Sequence, residues 1–192
     1  MCSDKAKTVF CLGICGLVHG CLTIAISSYV FSYSWKQSRS LEFAVTVLAL
    51  CSGISLISAN ITNLCHGYRI RQIALFNNHS ERKPFRRLPL TLILINTIAA
   101  ALNLALGVLA FFLANTFYVP QQFSTIIDPD GMIHVSRDEY VFNGSIGMVV
   151  VAVIGVVFSG SVAGLAVSIH RHPQQTIAAI AGIQYQPGVG AA

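Results

Sequence analysis

The chain has 192 residues, of which 54% are apolar and only 10% charged, with a net charge of +5. A soluble domain carries roughly a quarter charged residues, so this composition lacks the material for a water-facing surface and points to an integral membrane protein. The basic balance does not mark a nucleic-acid binder, because the positive charge is confined to short segments between long uncharged runs.

Those uncharged runs define the predicted elements. No charge falls between Lys7 and Lys36, between Glu42 and Arg69, between Arg87 and Asp128, or between Glu139 and Arg171. A helix crossing the ~30 Å hydrocarbon core needs about 20 apolar residues. Each run therefore fits one crossing and is too short for two.

After a short N-terminus (1–7) the first span is predicted over 8–31. Its apolar stretch is about twice the 7–15 residues of a signal-peptide core, which favours an uncleaved helix. Gly13, Gly16, Gly20, Thr23 and Ser27 recur at alternating steps of three and four, the spacing of a helix-packing seam. His19 is a polar residue at membrane depth. Cys11, Cys15 and Cys21 read as small apolar packing residues.

The second span is predicted over 41–64, with Ser52, Ser55, Ala59 and Thr62 on its seam and Asn60 as a second intramembrane polar residue. The segment 65–87 follows as a basic loop. It holds Arg69, Arg71, Arg82, Lys83, Arg86 and Arg87, half of the 12 Lys and Arg residues.

The third span is predicted over 88–117, its seam running through Asn96, Ala100, Asn103, Gly107, Ala110 and Ala114. His19, Asn96 and Ser55 fall roughly 12–16 Å from the same membrane face at 1.5 Å per residue, so one polar layer is expected. In the outer loop (118–141), Phe123–Val135 reads as a small β-hairpin about Asp128-Pro129-Asp130-Gly131, since Pro and Gly supply turn geometry. The fourth span is predicted over 142–169, with Ala152, Gly155, Ser159, Ala163 and Ala166 on its seam. Gly16–Gly20 and Gly160–Gly164 are also G-x-x-x-G pairs, each a candidate packing or dimer face. The tail (171–192) is expected to be partly disordered, with one or two helical turns over Ile177–Ile183.

The predicted fold is an all-α membrane protein: a four-helix transmembrane bundle (8–170) with a small extracellular or lumenal β-hairpin. Loops rich in Lys and Arg stay cytosolic. Four spans put nine basic residues with the two termini and the loop 65–87, against Lys36, Arg39 and Arg137 on the other side. Both termini are expected in the cytosol. Arg69, Arg71, Arg82, Lys83, Arg86 and Arg87 then anchor the topology and meet anionic lipids of the cytosolic leaflet. Tyr29, Tyr33, Trp35, Phe117, Tyr118 and Tyr140 gather at the outer span ends, as interfacial aromatics do.

Neither outer loop contains a cysteine, so no disulfide is expected there. Cys2 and Cys65 lie at the cytosolic membrane edge and are candidates for palmitoylation. Asn143 is the one N-x-S/T sequon expected on the outer side, at the start of the fourth span, hence a candidate glycosylation site.

The layout of four spans, a very short first outer loop, a longer second outer loop and cytosolic termini resembles the four-span superfamilies around the membrane-spanning four-domain family A, the MARVEL proteins and the keratinocyte-associated transmembrane proteins. The resemblance covers the whole chain in topology only and transfers no residue-level role. The Cys-Cys-Gly motif of tetraspanins and the Trp and two cysteines of the first claudin loop are absent.

Apart from Glu42 at the very start of the second, the spans contain no Asp, Glu, Lys or Arg, which pumps, proton-coupled transporters and voltage sensors generally need. The expected function is that of a non-enzymatic tetraspan that organises membranes, trafficking or partner proteins. Its expected partners are the bilayer, other membrane proteins or further copies of itself, and not nucleic acid; no cofactor or metal is expected. The alternative is a channel or channel subunit with a neutral path past His19, Asn60, Asn96 and Asn103.

Overall fold

The computed structural model describes residues 5–34, 40–76, 82–116, 126–127, 133–134 and 137–181. Five helices follow one another: α1 (Lys5–Ser34), α2 (Ser40–Phe76), α3 (Arg82–Thr116), α4 (Arg137–Arg171) and α5 (Pro173–Ala181). The first four each contain a stretch long and apolar enough to cross a membrane: Lys5–Val30, Phe43–Ile73, Arg87–Thr116 and Val141–Arg171. These four apolar helices fit a multi-pass integral membrane protein.

The fold expectation is corrected in two respects. The described chain is helical apart from one minimal strand pair, with a fifth helix, and the outer-loop β-hairpin is not supported as an element of the fold. Only a two-residue pairing survives, Ile126 with His134 and Ile127 with Ile133. Strands usually run about 5–6 residues, and an isolated pair of strands is marginal even then. The rest of that segment lies outside the described residues.

The helices also run past their expected ends. α2 continues to Phe76 and α3 starts at Arg82, so the basic segment is mostly helical and the connection between them shortens to 77–81. A helix bonds its own backbone and has no reason to stop at the hydrocarbon edge, and Arg, Lys and Gln are good helix formers in water. At 30–37 residues, α1–α4 are roughly 45–55 Å long at 1.5 Å per residue. That exceeds the ~30 Å hydrocarbon core, so their ends reach into the headgroup layers.

The four long helices are antiparallel in sequence order and close into a ring. α1 packs most extensively on α2, and α3 on α4. The α1–α4 and α2–α3 seams are less extensive, and diagonal contact is slight. Gly13 lies against Leu64, Gly20 against Ile57 and Gly53 against Ile24, which sets the α1–α2 register. Gly144 lies against Val30 and Gly147 against Ile26 across α4–α1. Missing Cβ atoms let these backbones approach closely, which drives association where lipid is as apolar as the helix itself.

One apolar cluster (Val45, Ala49, Leu106, Leu113, Met148 and neighbours) fills the bundle near the α2 N-terminus. A second (Val9, Ile70, Leu92, Val162, Ile169 and neighbours) fills the opposite end. α5 closes that second end: Ile177 and Ile180 pack on the cluster, and Thr176 is buried. Pro173 suits the first helical position because it needs no donor there. The carbonyl of His172 accepts from both the Thr176 backbone N (3.1 Å) and Thr176 Oγ1 (3.0 Å). The tail thus carries a packed helix over Pro173–Ala181; residues 182–192 lie outside the described set.

Large apolar side chains face outward along all four long helices, among them Val18, Ile54, Leu94, Leu104, Val153 and Val157. This reverses the soluble pattern of polar outside and apolar inside and suits a hydrocarbon solvent.

Candidate functional site

The buried asparagines and His19 come together in one region of the bundle. The register set by Gly16 beside Asn60, His19 beside Val151, Asn63 beside Asn96 and Asn103 beside Gly155 places His19, Asn60, Asn63, Asn96 and Asn103 within about three helical turns of one another along the bundle axis. All five are buried.

An unbonded amide in an apolar interior costs several kcal/mol, and the structure shows how these amides are satisfied. Asn60 Nδ2 donates to Leu56 O (2.7 Å), Asn96 Nδ2 to Leu92 O (2.8 Å) and Asn103 Nδ2 to Ala99 O (2.8 Å). Each is an i−4 bond to the residue's own helix, with one amide edge left for a neighbour. Asn63 makes use of that edge. Its Nδ2 donates to Asn60 Oδ1 and Asn96 Oδ1 (3.2 Å each), and Asn96 Nδ2 returns a 2.8 Å bond to Asn63 Oδ1. The α2–α3 seam is thus joined by a reciprocal amide pair.

His19 joins α1 to α4: its Nε2 lies 2.8 Å from Val151 O. A carbonyl only accepts, so Nε2 carries the hydrogen. The ring also sits 6.0 Å from that of Phe158 on α4. Below it, Thr23 Oγ1 donates to His19 O and Ser27 Oγ to Thr23 O, which ties two seam hydroxyls back to α1.

Two glycines complete this region. A methyl on Gly16 would overlap the Asn60 amide, and a methyl on Gly155 would overlap the Asn103 amide. Each helical hairpin therefore closes on an asparagine seated in a glycine notch. In α1–α2 the glycine comes first; in α3–α4 the asparagine does. Asn103 Oδ1 and Ser52 Oγ are buried without a hydrogen-bond partner.

The other sequence-singled residues fall as follows. Gly13 and Gly20 lie on the α1–α2 contact, Ala59 is buried and Gly107 faces Ala152. Ser159 is buried, while Ser55 is half-buried and outside the amide network. Gly160 and Gly164 face away from the bundle with open space around them, unlike Gly16 and Gly20. Asn143 is exposed near the start of α4. Asn63 was missed by the seam pattern. Its signal was available, since three residues after Asn60 puts it on the same helix face.

The cysteines require a second correction. Cys11, Cys15 and Cys21 are not packing residues: they are exposed, as are Cys51 and Cys65. Cysteine is among the most buried residue types in water-soluble proteins, but hydrocarbon offers a thiol no penalty for facing outward. Cys2 lies outside the described residues.

At the end of the bundle holding the α1 N-terminus, Lys7, Arg69, Arg71, Arg87 and Arg171 are all exposed, one or two from each long helix. Lys5 lies among them, its Nζ donating to Ser168 Oγ at 2.7 Å across the α1–α4 seam. Among the described residues this end carries no acidic side chain. The side chains of Arg82, Lys83 and Arg86 lie outside the described set. A ring of cations around one end of an apolar bundle is chemistry suited to phosphate headgroups.

Comparison with known proteins finds no matching family model, no matching curated protein and no matching solved structure. The likeness to the membrane-spanning four-domain family A, MARVEL and keratinocyte-associated proteins accordingly rests on the four-span layout alone.

Proposed function

We propose that this chain is a non-enzymatic tetraspan that organises membrane or partner proteins, with both termini in the cytosol and its cationic end against anionic lipid. The observation that carries the reading is the occupation of the interior polar groups. His19 bonds α1 to α4, Asn63 and Asn96 bond α2 to α3, and Asn60 is bonded to Asn63 within α2; the interhelical bonds act as glue. The outward surface is apolar, and the exposed cations gather at one end. A rigid bundle with this surface supplies partner proteins with a fixed apolar wall and a charged rim.

Proximity labelling from a tag on the C-terminal tail tests the reading. Labelled cytosolic segments of other membrane proteins are expected; a set of soluble lumenal proteins would contradict both orientation and role. Replacing Arg82, Lys83, Arg86 and Arg87 by Gln is expected to disturb topology and lower affinity for anionic vesicles.

A neutral path through the bundle is the second reading, favoured by the two unbonded buried oxygens of Asn103 and Ser52. It predicts a conductance in reconstituted bilayers that Asn103→Leu abolishes. The scaffold reading predicts none.

A further inference from the structure

We propose that Cys11 and Cys65 are paired S-acylation sites, each carrying a long-chain fatty acyl thioester in the leaflet next to the cationic end. The inference rests on the orientation proposed above, since acyl transfer from coenzyme A occurs on the cytosolic side.

Three independent features of the structure point to it. Both thiols face outward, on α1 and on α2. They lie at one depth: α1 and α2 are antiparallel and Gly13 lies against Leu64, which brings Cys65 level with residues 11–12. Each also has an exposed cation four residues away toward the basic end, Lys7 for Cys11 and Arg69 for Cys65. Residues four apart share a helix face, so each thiol lies about 6 Å deeper than a cation directly above it. The arrangement repeats on two helices running in opposite directions, with the sequence order of cation and cysteine reversed.

The chemistry suits this geometry. A long-chain acyl coenzyme A lies with its phosphates in the headgroup layer and its thioester at the top of the hydrocarbon. Lys7 and Arg69 stand at the level of the phosphates, and Cys11 and Cys65 at the level of the thioester. Cysteine Sγ attacks the thioester carbonyl carbon, forming a new carbon–sulfur bond. The bond to coenzyme A breaks, and coenzyme A leaves as the free thiol, taking up the cysteine proton. No oxidant or reductant is involved. The attached chain then lies along the outward apolar faces of α1 and α2. Cys15 is one turn deeper than Cys11, and Cys21 and Cys51 lie farther still from the cations, so those three serve as internal controls.

Acyl-to-polyethylene-glycol exchange on the full chain, expressed in cells, reads the number of thioesters as discrete mass steps after hydroxylamine. Cys11→Ser and Cys65→Ser are each expected to remove one step and the double variant two. Cys15→Ser, Cys21→Ser and Cys51→Ser are expected to leave the ladder unchanged. Cys→Ala variants at positions 11 and 65, checked by gel filtration for an intact fold, must give the same losses. A ladder unaffected by the double variant, or one lost with Cys51→Ser, overturns the proposal. A glycosylation-acceptor tag on the C-terminus is scored in the same cells. Missing steps with an unglycosylated tag reject acylation alone, whereas a glycosylated tag rejects the orientation and acylation together.

Discussion

The two helical hairpins use the same lock and wire it differently. In α1–α2, Asn60 sits in the notch of Gly16 and its oxygen accepts from Asn63, which continues across to Asn96 on α3. In α3–α4, Asn103 sits in the notch of Gly155, but its oxygen meets no donor. One amide is part of a network that bonds two helices, α2 and α3; the other ends where it stands. The difference shows that a buried asparagine in a bundle is not energetically interchangeable with its counterpart. The contribution depends on whether its second edge finds a partner.

The comparison is most strongly stressed at the notches. Gly16→Ala drives a methyl into Asn60 and must displace the network, so a loss of about 1–3 kcal/mol is expected, as for overpacked cores. Gly155→Ala displaces only the Asn103 amide and is expected to cost less than Gly16→Ala, by thermal unfolding in detergent. Equal losses would mean that the network adds nothing to the first notch.

The amides come next. Asn96→Leu strands Asn63 and is expected to cost about 1 kcal/mol, within the range measured for bonds between membrane helices. Asn103→Leu removes an oxygen that has no donor, and a change within about 0.5 kcal/mol is expected. A larger loss at 103 than at 96, in the same unfolding assay, would reverse the assignment of the two amides.

The smallest effect is expected on the outer face of α4. Gly160→Ala and Gly164→Ala place methyls in open space, and stability should stay within about 0.5 kcal/mol of the parent chain.

Much of this arrangement was legible in the sequence, for reasons that differ by element. The four spans follow from uncharged runs, because burying a charge in hydrocarbon is costly. Gly13, Gly16 and Gly20 declare a seam because only small residues let backbones meet closely. The helix ends were not legible: Arg69, Arg71 and Arg82 extend helices in water as readily as they end spans. α5 was legible only in part, as one or two turns over Ile177–Ile183, because the short apolar face of Thr176, Ile177 and Ile180 gains its meaning from Ile70 and Ile73 beside it. The cysteines misled because their burial preference belongs to water-soluble proteins, where the outside is polar. Asp128–Gly131 carries turn chemistry in the sequence and lies outside the described residues, yet turn chemistry does not supply the cross-strand packing that makes a hairpin.

The central claim is that the Asn63–Asn96 pair couples the two hairpins across the α2–α3 seam. A double-mutant cycle with Asn63→Ala and Asn96→Ala, read by equilibrium unfolding in bicelles, tests it most directly. The account predicts a coupling energy of about 1 kcal/mol between the two positions. Losses that simply add, within about 0.3 kcal/mol, would contradict it.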